Sequence, residues 1–286
     1  MTTQPESAFL AKLPLEIRCQ IYELVFGDKI IAILPRDRYA TKIYHYLCHA
    51  KGHAFHWFVW ISGDGNESPG VYCRAHENNP VSNQLLPLLL TCHQTYSEAV
   101  DVLWSTNPIH IQPSNAAGLA VLSALQATIP ARSFHSIRCL EISFLHGAVT
   151  RVPQILDEDW FCKWESMWDV IKTMKGLVRI NAWLKMDQRD KERGLDGLNP
   201  REKLLRQLDQ IANGNRMTAD QEARLFAPLM DLTWLREFTV EVTWAANEGS
   251  ENFLSRAPFQ LTRNNDPIPG KPGMGIEIIN GELVGE

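Results

Sequence analysis

The side chains with the greatest chemical potential in this sequence lie between residues 45 and 76: His45, Cys48, His49, His53, His56, Cys73 and His76. Imidazole and thiolate are preferred zinc donors, and any four of them set tetrahedrally would close a site. If residues 41–50 form a helix, His45 and His49 share a face at i, i+4. Cys73 and His76 are spaced like a ligand pair. The run holds neither a CxxC pair nor HExxH, so the spacing favours satisfied or exposed side chains over a metal centre. The sequence assigns no metal, no cofactor and no catalytic residue, and leaves open whether His45, Cys48, His49, Cys73 and His76 bind metal.

Other reactive patterns are missing. Gly270-Lys271-Pro272 lacks the upstream glycine and the Ser/Thr of a phosphate-binding loop. There is no GxSxG elbow, no kinase set and no GxGxxG after a strand. Asp157, Glu158 and Asp159 read as the acidic start of a helix rather than a catalytic pair. The nine tryptophans are not interleaved with basic residues, so they read as packing and not as a base-stacking platform.

What must position any site begins with Leu13 to Phe26, LPLEIRCQIYELVF. Pro14 suits the first helical position, where its missing N–H has no partner to lose. Glu16 meets the positive end of the helix dipole. Leu13, Ile17, Ile21 and Leu24, with Val25 beside them, recur at the helical period and form one apolar face. Tyr22 flanks that face, placed to bury its ring and keep its hydroxyl wet. Gly27 is placed to end the helix in a left-handed cap.

The pattern LPxEIRxxIYxL, carried by Leu13, Pro14, Glu16, Ile17, Arg18, Ile21, Tyr22 and Leu24, resembles the opening of the F-box. It resembles more closely a large fungal family of uncharacterised F-box-like proteins. That family has a second block, CxxxYxEAxxxLxxxN, matched here by Cys92, Tyr96, Glu98, Ala99, Leu103 and Asn107. The resemblance implies an interaction protein whose first helix is gripped by a partner. That partner would be a protein, and in the F-box case a Skp1-type adaptor of a ubiquitin ligase. The residues it implicates are Leu13, Pro14, Ile17, Ile21 and Tyr22. An ordinary F-box brings its later helices soon after the first, whereas here strand-like sequence separates the two blocks.

The chain has 286 residues, 45% apolar and 21% charged, with a net charge of −5. That length is enough for one large domain or two small ones. The charge exerts no global pull toward nucleic acid. No uninterrupted apolar run is long enough for a membrane span, and the first residues lack the basic start and apolar core of a secretory signal. Six scattered cysteines without framework spacing read as free thiols of an intracellular protein, cytoplasmic or nuclear.

Further along, Lys29 to Leu34 reads as a short strand and Ala54 to Ser62 as a strand apolar on both faces. Val71 to His76 reads as its return after a turn. Thr91 is placed to cap a helix over Cys92 to Trp104 whose buried stripe is Tyr96, Ala99, Val100 and Leu103. Ile109 to Ile111 reads as a brief strand.

Three later segments align without gaps: Ile137 to Phe144, Leu177 to Leu184 and Leu235 to Val242. Each is apolar at relative positions 0, 3, 5 and 7, and each follows an amphipathic helix, at about Asn115–Thr128, Asp157–Met174 and Thr218–Leu232. Helix then strand, three times, predicts parallel strands. The LxxLxL pattern resembles a degenerate leucine-rich array, although an ordinary α/β domain carries equal weight. A charged insertion, Asp187 to Met217, holds its own short helix near residues 200–212. A Pro/Gly-rich tail ends in a hairpin about Asn280–Gly281.

The predicted fold class is therefore α+β. Residues 1–112 form an F-box-like helical segment with a small β insertion. Residues 113–255 form an irregular helix–strand layer, and 256–286 a tail with the hairpin. The predicted function is a protein-interaction module, with no nucleic-acid or membrane partner. The alternatives are an enzyme built on the His-rich region 45–76, or a scaffold whose first helix is wholly internal.

Overall fold

A computed structural model describes residues 8–27, 29–35, 40–48, 58–61, 70–73, 86–113, 116–146, 158–186, 218–244, 253–263, 277–279 and 282–284. The chain opens on α1 (Ala8–Lys12) and α2 (Leu15–Phe26). α1 is short and buries none of its residues. Phe9 anchors it, its ring 6.0 Å from that of Tyr22. Pro14 sits one place earlier than expected, as the N-cap, with φ −55° and ψ 153°. Gly27 does end α2, but at φ −71°, not in the left-handed region. Glycine is needed there for a different reason: a Cβ would run into the Glu23 carbonyl oxygen.

Next come β1 (Ile30–Pro35), β2 (Ile43–Cys48), β3 (Phe58–Ile61), β4 (Gly70–Cys73), α3 (Leu86–Leu89) and α4 (His93–Thr106). The second half holds β5 (Ile109–Ile111), α5 (Ala116–Thr128), α6 (Ala131–Ser136), β6 (Cys139–His146), α7 (Glu158–Lys172) and β7 (Arg179–Met186). These are followed by α8 (Ala219–Phe226), a 3₁₀ turn (Ala227–Leu229), β8 (Glu237–Val242) and β9 (Gln260–Arg263). The chain closes on β10 (Glu277–Ile279) and β11 (Glu282–Val284), which pair antiparallel as the Asn280–Gly281 turn predicts. They form a two-stranded sheet of their own, as do β3 and β4. The helix expected near 200–212 lies outside the described residues.

Seven strands make one sheet in the order β2-β1-β5-β6-β7-β8-β9. Only the β1–β2 pairing is antiparallel; the rest are parallel. The protein is thus mixed α/β. The sheet crosses both boundaries expected from the sequence, because β5 pairs with β6 and the tail strand β9 pairs with β8. Strand pairing joins segments that composition alone separates.

The aligned segments become a spatial ladder. Leu140 pairs with Ile180 and Ile180 with Phe238; Ile142, Ala182 and Val240 form the next rung, and Phe144, Leu184 and Val242 the third. All nine side chains are buried. Each strand is laid beside the last in the same direction. Right-handed crossovers therefore put the intervening helices on one face of the sheet, and α5, α7 and α8 pack side by side there.

The core between them is largely aromatic. Trp160, Trp164 and Trp168 run along α7, with centroids 5.3 Å and 5.5 Å apart. Phe144 meets Trp160 at 5.3 Å, and Phe238 meets Phe259 at 5.1 Å. The other face of the sheet is polar. His110, Glu141 and Ser143 are buried on it, Asn181 and Trp183 half-buried, and Thr239 exposed.

Gly118 on α5 sits against the backbone of Gln112 and Pro113, where a Cβ would collide with the Gln112 carbonyl oxygen. Gly118→Ala is expected to lower stability by about 1–3 kcal/mol through overpacking. The change should appear in urea titrations as a lower midpoint with an unchanged slope.

Candidate functional site

Helix α2 has two working faces. Arg18, Tyr22 and Phe26, at i, i+4 and i+8, turn inward and are buried, in company with α4. Arg18 donates to both oxygens of Glu98, from Nε at 2.8 Å and from Nη2 at 2.7 Å. Its remaining donor group, Nη1, reaches the carbonyl oxygens of Leu13 and Leu10. Tyr22 donates its hydroxyl to Glu98 Oε2 at 3.1 Å, and Gln94 donates to Oε1 at 2.9 Å.

A planar fork on a carboxylate is the strongest ion-pair geometry available to side chains. Arg18's hydrogen bonds hold the Glu98 carboxyl down to about 2, with those from Gln94 and Tyr22 adding to the effect against the opposing pull of burial. The guanidinium of Arg18 is pushed up by the same bond. Burial, then the bond to Glu98, pushes the Tyr22 phenol up.

The second sequence block supplies the rest of this joint. Cys92, not Thr91, caps α4: its Sγ accepts from the Thr95 N–H at 3.4 Å. Thr91 instead donates its hydroxyl to the Leu88 carbonyl at 2.8 Å, at the end of α3. Asn107 is buried, donating to the Leu103 carbonyl at 2.8 Å and accepting from the Lys29 N–H at 3.0 Å. It fastens the end of α4 to the start of β1. Arg18, Tyr22, Glu98 and Asn107 are therefore joints of the fold.

The apolar stripe read from the sequence lies on the other face. At about 100° per residue, Leu13, Ile17, Ile21 and Leu24 sit roughly 150° round the helix from Arg18, Tyr22 and Phe26. Ile17 is 40% exposed, Val25 41% and Leu24 84%, and Leu13 and Ile21 are half-buried. Pro14 is exposed at the helix start. Tyr22 corrects the expectation made for it: it is fully buried with its hydroxyl on Glu98, because the ring fits between Phe9 and Phe26. Tyr96, expected in the buried stripe of α4, is 42% exposed.

Seven large apolar side chains are exposed among the described residues. Six of them, Leu15, Ile17, Leu24, Val25, Leu90 and Tyr96, belong to α2 and to the segment that begins α4. These two helices pack on each other, so most of the exposed large apolar side chains among the described residues sit on one helix pair. Apolar area concentrated in this way marks an interaction surface more often than scattered single residues do.

Only part of the His-rich region lies among the described residues. Residues 43–48 form a strand, so the helical spacing of His45 and His49 does not arise; His45 stands opposite Ile33 across β1 and β2. Cys48 ends β2 and Cys73 ends β4. His49, His53, His56 and His76 lie outside the described residues. Among the described residues no three His, Cys, Asp or Glu side chains are grouped to hold a metal ion.

Sequence reasoning missed one buried ionic joint. Glu222 on α8 is fully buried and accepts from Trp244 Nε1 at 3.0 Å and Arg263 Nη2 at 2.7 Å. It ties β9 to the body of the protein. The capping box of Thr218 and Gln221 marks where α8 begins. Nothing local marks Glu222 as inward-facing, because its partners are remote in sequence.

Fold and site together define a mixed α/β protein with an exposed apolar face on a helix that is clamped from behind by an ion pair. The chain belongs to the family described as a domain of unknown function (DUF7730), whose profile matches residues 2–219. The match spans both sequence blocks and the sheet as far as β7. No curated protein and no solved structure matches the chain. No helix among the described residues is long and apolar enough to cross a membrane.

Proposed function

We propose that this protein is an intracellular interaction module that docks a protein partner on the outer face of α2. The observation that carries this is the exposure of Ile17, Leu24 and Val25 on a helix whose opposite face is pinned to α4 by Arg18 and Glu98. A helix held rigidly from one side gives up little freedom when its other side is covered, which favours binding. Each large apolar side chain moved fully out of water contributes about 1.5–3 kcal/mol. The resemblance of the first sequence block to the F-box points to a Skp1-type adaptor of a ubiquitin ligase as the partner. Cys19, Cys92, Cys139 and Cys162 are free thiols, which suits a reducing compartment, cytoplasmic or nuclear.

The test is affinity purification from the native host with mass spectrometry, using the wild type alongside Ile17→Asp and Leu24→Asp. Both positions face solvent, so both variants should melt within a few degrees of the wild type. Recovery of the adaptor should fall at least about tenfold, as for the loss of a hot-spot contact. Folded variants that recover the adaptor undiminished, or a wild type that recovers none, would overturn the proposal.

A further inference from the structure

The three aligned segments enter the sheet side by side, and their first residues form a rim at its N-terminal end. Val178 N donates to the Arg138 carbonyl at 2.9 Å, and Arg236 N to the Val178 carbonyl at 3.0 Å. Arg138 and Arg236 therefore stand two strands apart, about 10 Å at an interstrand spacing of about 4.8 Å. Lys175 lies in the turn leading into β7. Arg138, Lys175 and Arg236 are all exposed, and no ion pair holds any of them among the described residues.

The acids close to this rim in sequence already face other cations. Asp231 shares Lys172 with Asp169, at 2.9 Å and 3.2 Å, and Glu237 takes Arg179 at 3.5 Å. A local positive excess remains on a chain of net charge −5. Beside it is Trp234, 47% exposed and the one large apolar side chain outside the α2–α4 pair to be so among the described residues.

We infer that this rim of Arg138, Lys175, Arg236 and Trp234 is a second interaction surface, which takes a short acidic protein segment carrying an apolar side chain for the indole. An extended chain advances about 3.3 Å per residue, so acidic residues three apart match the Arg138–Arg236 separation. Three cations release few counterions from a nucleic acid, and the negative body of the protein repels a long polyanion. A short acidic peptide meets neither obstacle. The indole supplies the apolar contact that pure charge pairing lacks.

The probe is a fluorophore-labelled peptide with aspartates three residues apart and phenylalanine between them, titrated into the full chain and followed by anisotropy. Its asparagine counterpart and a single-stranded oligonucleotide of equal charge serve as comparisons. The acidic peptide should bind, and added salt should weaken the binding. Arg138→Glu and Arg236→Glu should each weaken it at least about tenfold, and Trp234→Ala at least about threefold. Lys175→Glu stands in should either arginine variant fail to fold. Ile17→Asp should leave the affinity unchanged, which separates this surface from the one on α2. Absence of binding, equal affinity for the asparagine peptide, indifference to the charge reversals or preference for the oligonucleotide would each overturn the inference.

Discussion

Replacing Trp164 by alanine is expected to lower stability by about 3–5 kcal/mol, a large part of the roughly 5–15 kcal/mol that holds a folded domain together. The side chain is fully buried in the middle of α7. It stacks on Trp160 at 5.3 Å, meets Trp168 edge-on at 5.5 Å and reaches Phe144 at 6.1 Å. Alanine would leave a cavity where a whole aromatic row now interdigitates, and close packing allows only partial collapse into it. It would also strip the Leu225 carbonyl of its indole donor, now at 2.9 Å. Trp164→Phe separates the two effects. Most of the ring area stays while the carbonyl loses its partner, so a loss of about 1–3 kcal/mol is expected. Denaturant midpoints and near-ultraviolet circular dichroism report both changes. A loss below about 1 kcal/mol for the alanine variant would mean that α7 is not the organising helix of this core.

Glu98→Ala should be the most damaging polar substitution. It leaves the Arg18 guanidinium largely buried with its counter-charge gone, and removing one partner of such a pair is far worse than removing both. A fall in melting temperature on the order of 5–10 °C is expected. The double variant Arg18→Ala with Glu98→Ala should lose less than the two single losses combined. The same pair sets an acid limit. The folded Glu98 carboxyl lies at about 2, against an ordinary value of 4.5. Its contribution is therefore fully present above about 4.5 and lost as pH falls toward 2. Urea midpoints followed through that window should drop more steeply for the wild type than for Glu98→Gln. Parallel curves would mean that the carboxylate is not held by Arg18 in solution.

The contrast between Trp164 and Glu98 separates what is local from what is not. Trp164 was legible as core because Phe161, Trp164, Trp168 and Ile171 repeat at the helical period, and all four are buried. The strand ladder was legible too, since apolar positions aligned in sequence became Cα partners in register. Glu98 was visible only as a letter in a motif, and its partner lies 80 positions away. The edge strand β9 escaped notice in a tail read as Pro/Gly-rich. Its membership in the sheet comes from pairing with β8 and from the bond between Arg263 and Glu222.

For α2 the sequence determined the helix and the position of its apolar stripe, because a period of 3.6 residues fixes which side chains share a face. It also determined the three parallel strands, because alternation and spacing are properties of the chain itself. Only the tertiary structure decided which face of α2 turns inward. The stripe of Arg18, Tyr22 and Phe26 turns inward, where it buries two aromatic rings and α4 presents the Glu98 carboxylate that pairs the guanidinium. That arrangement, which draws on a residue remote in sequence, is what leaves Ile17 and Leu24 facing outward.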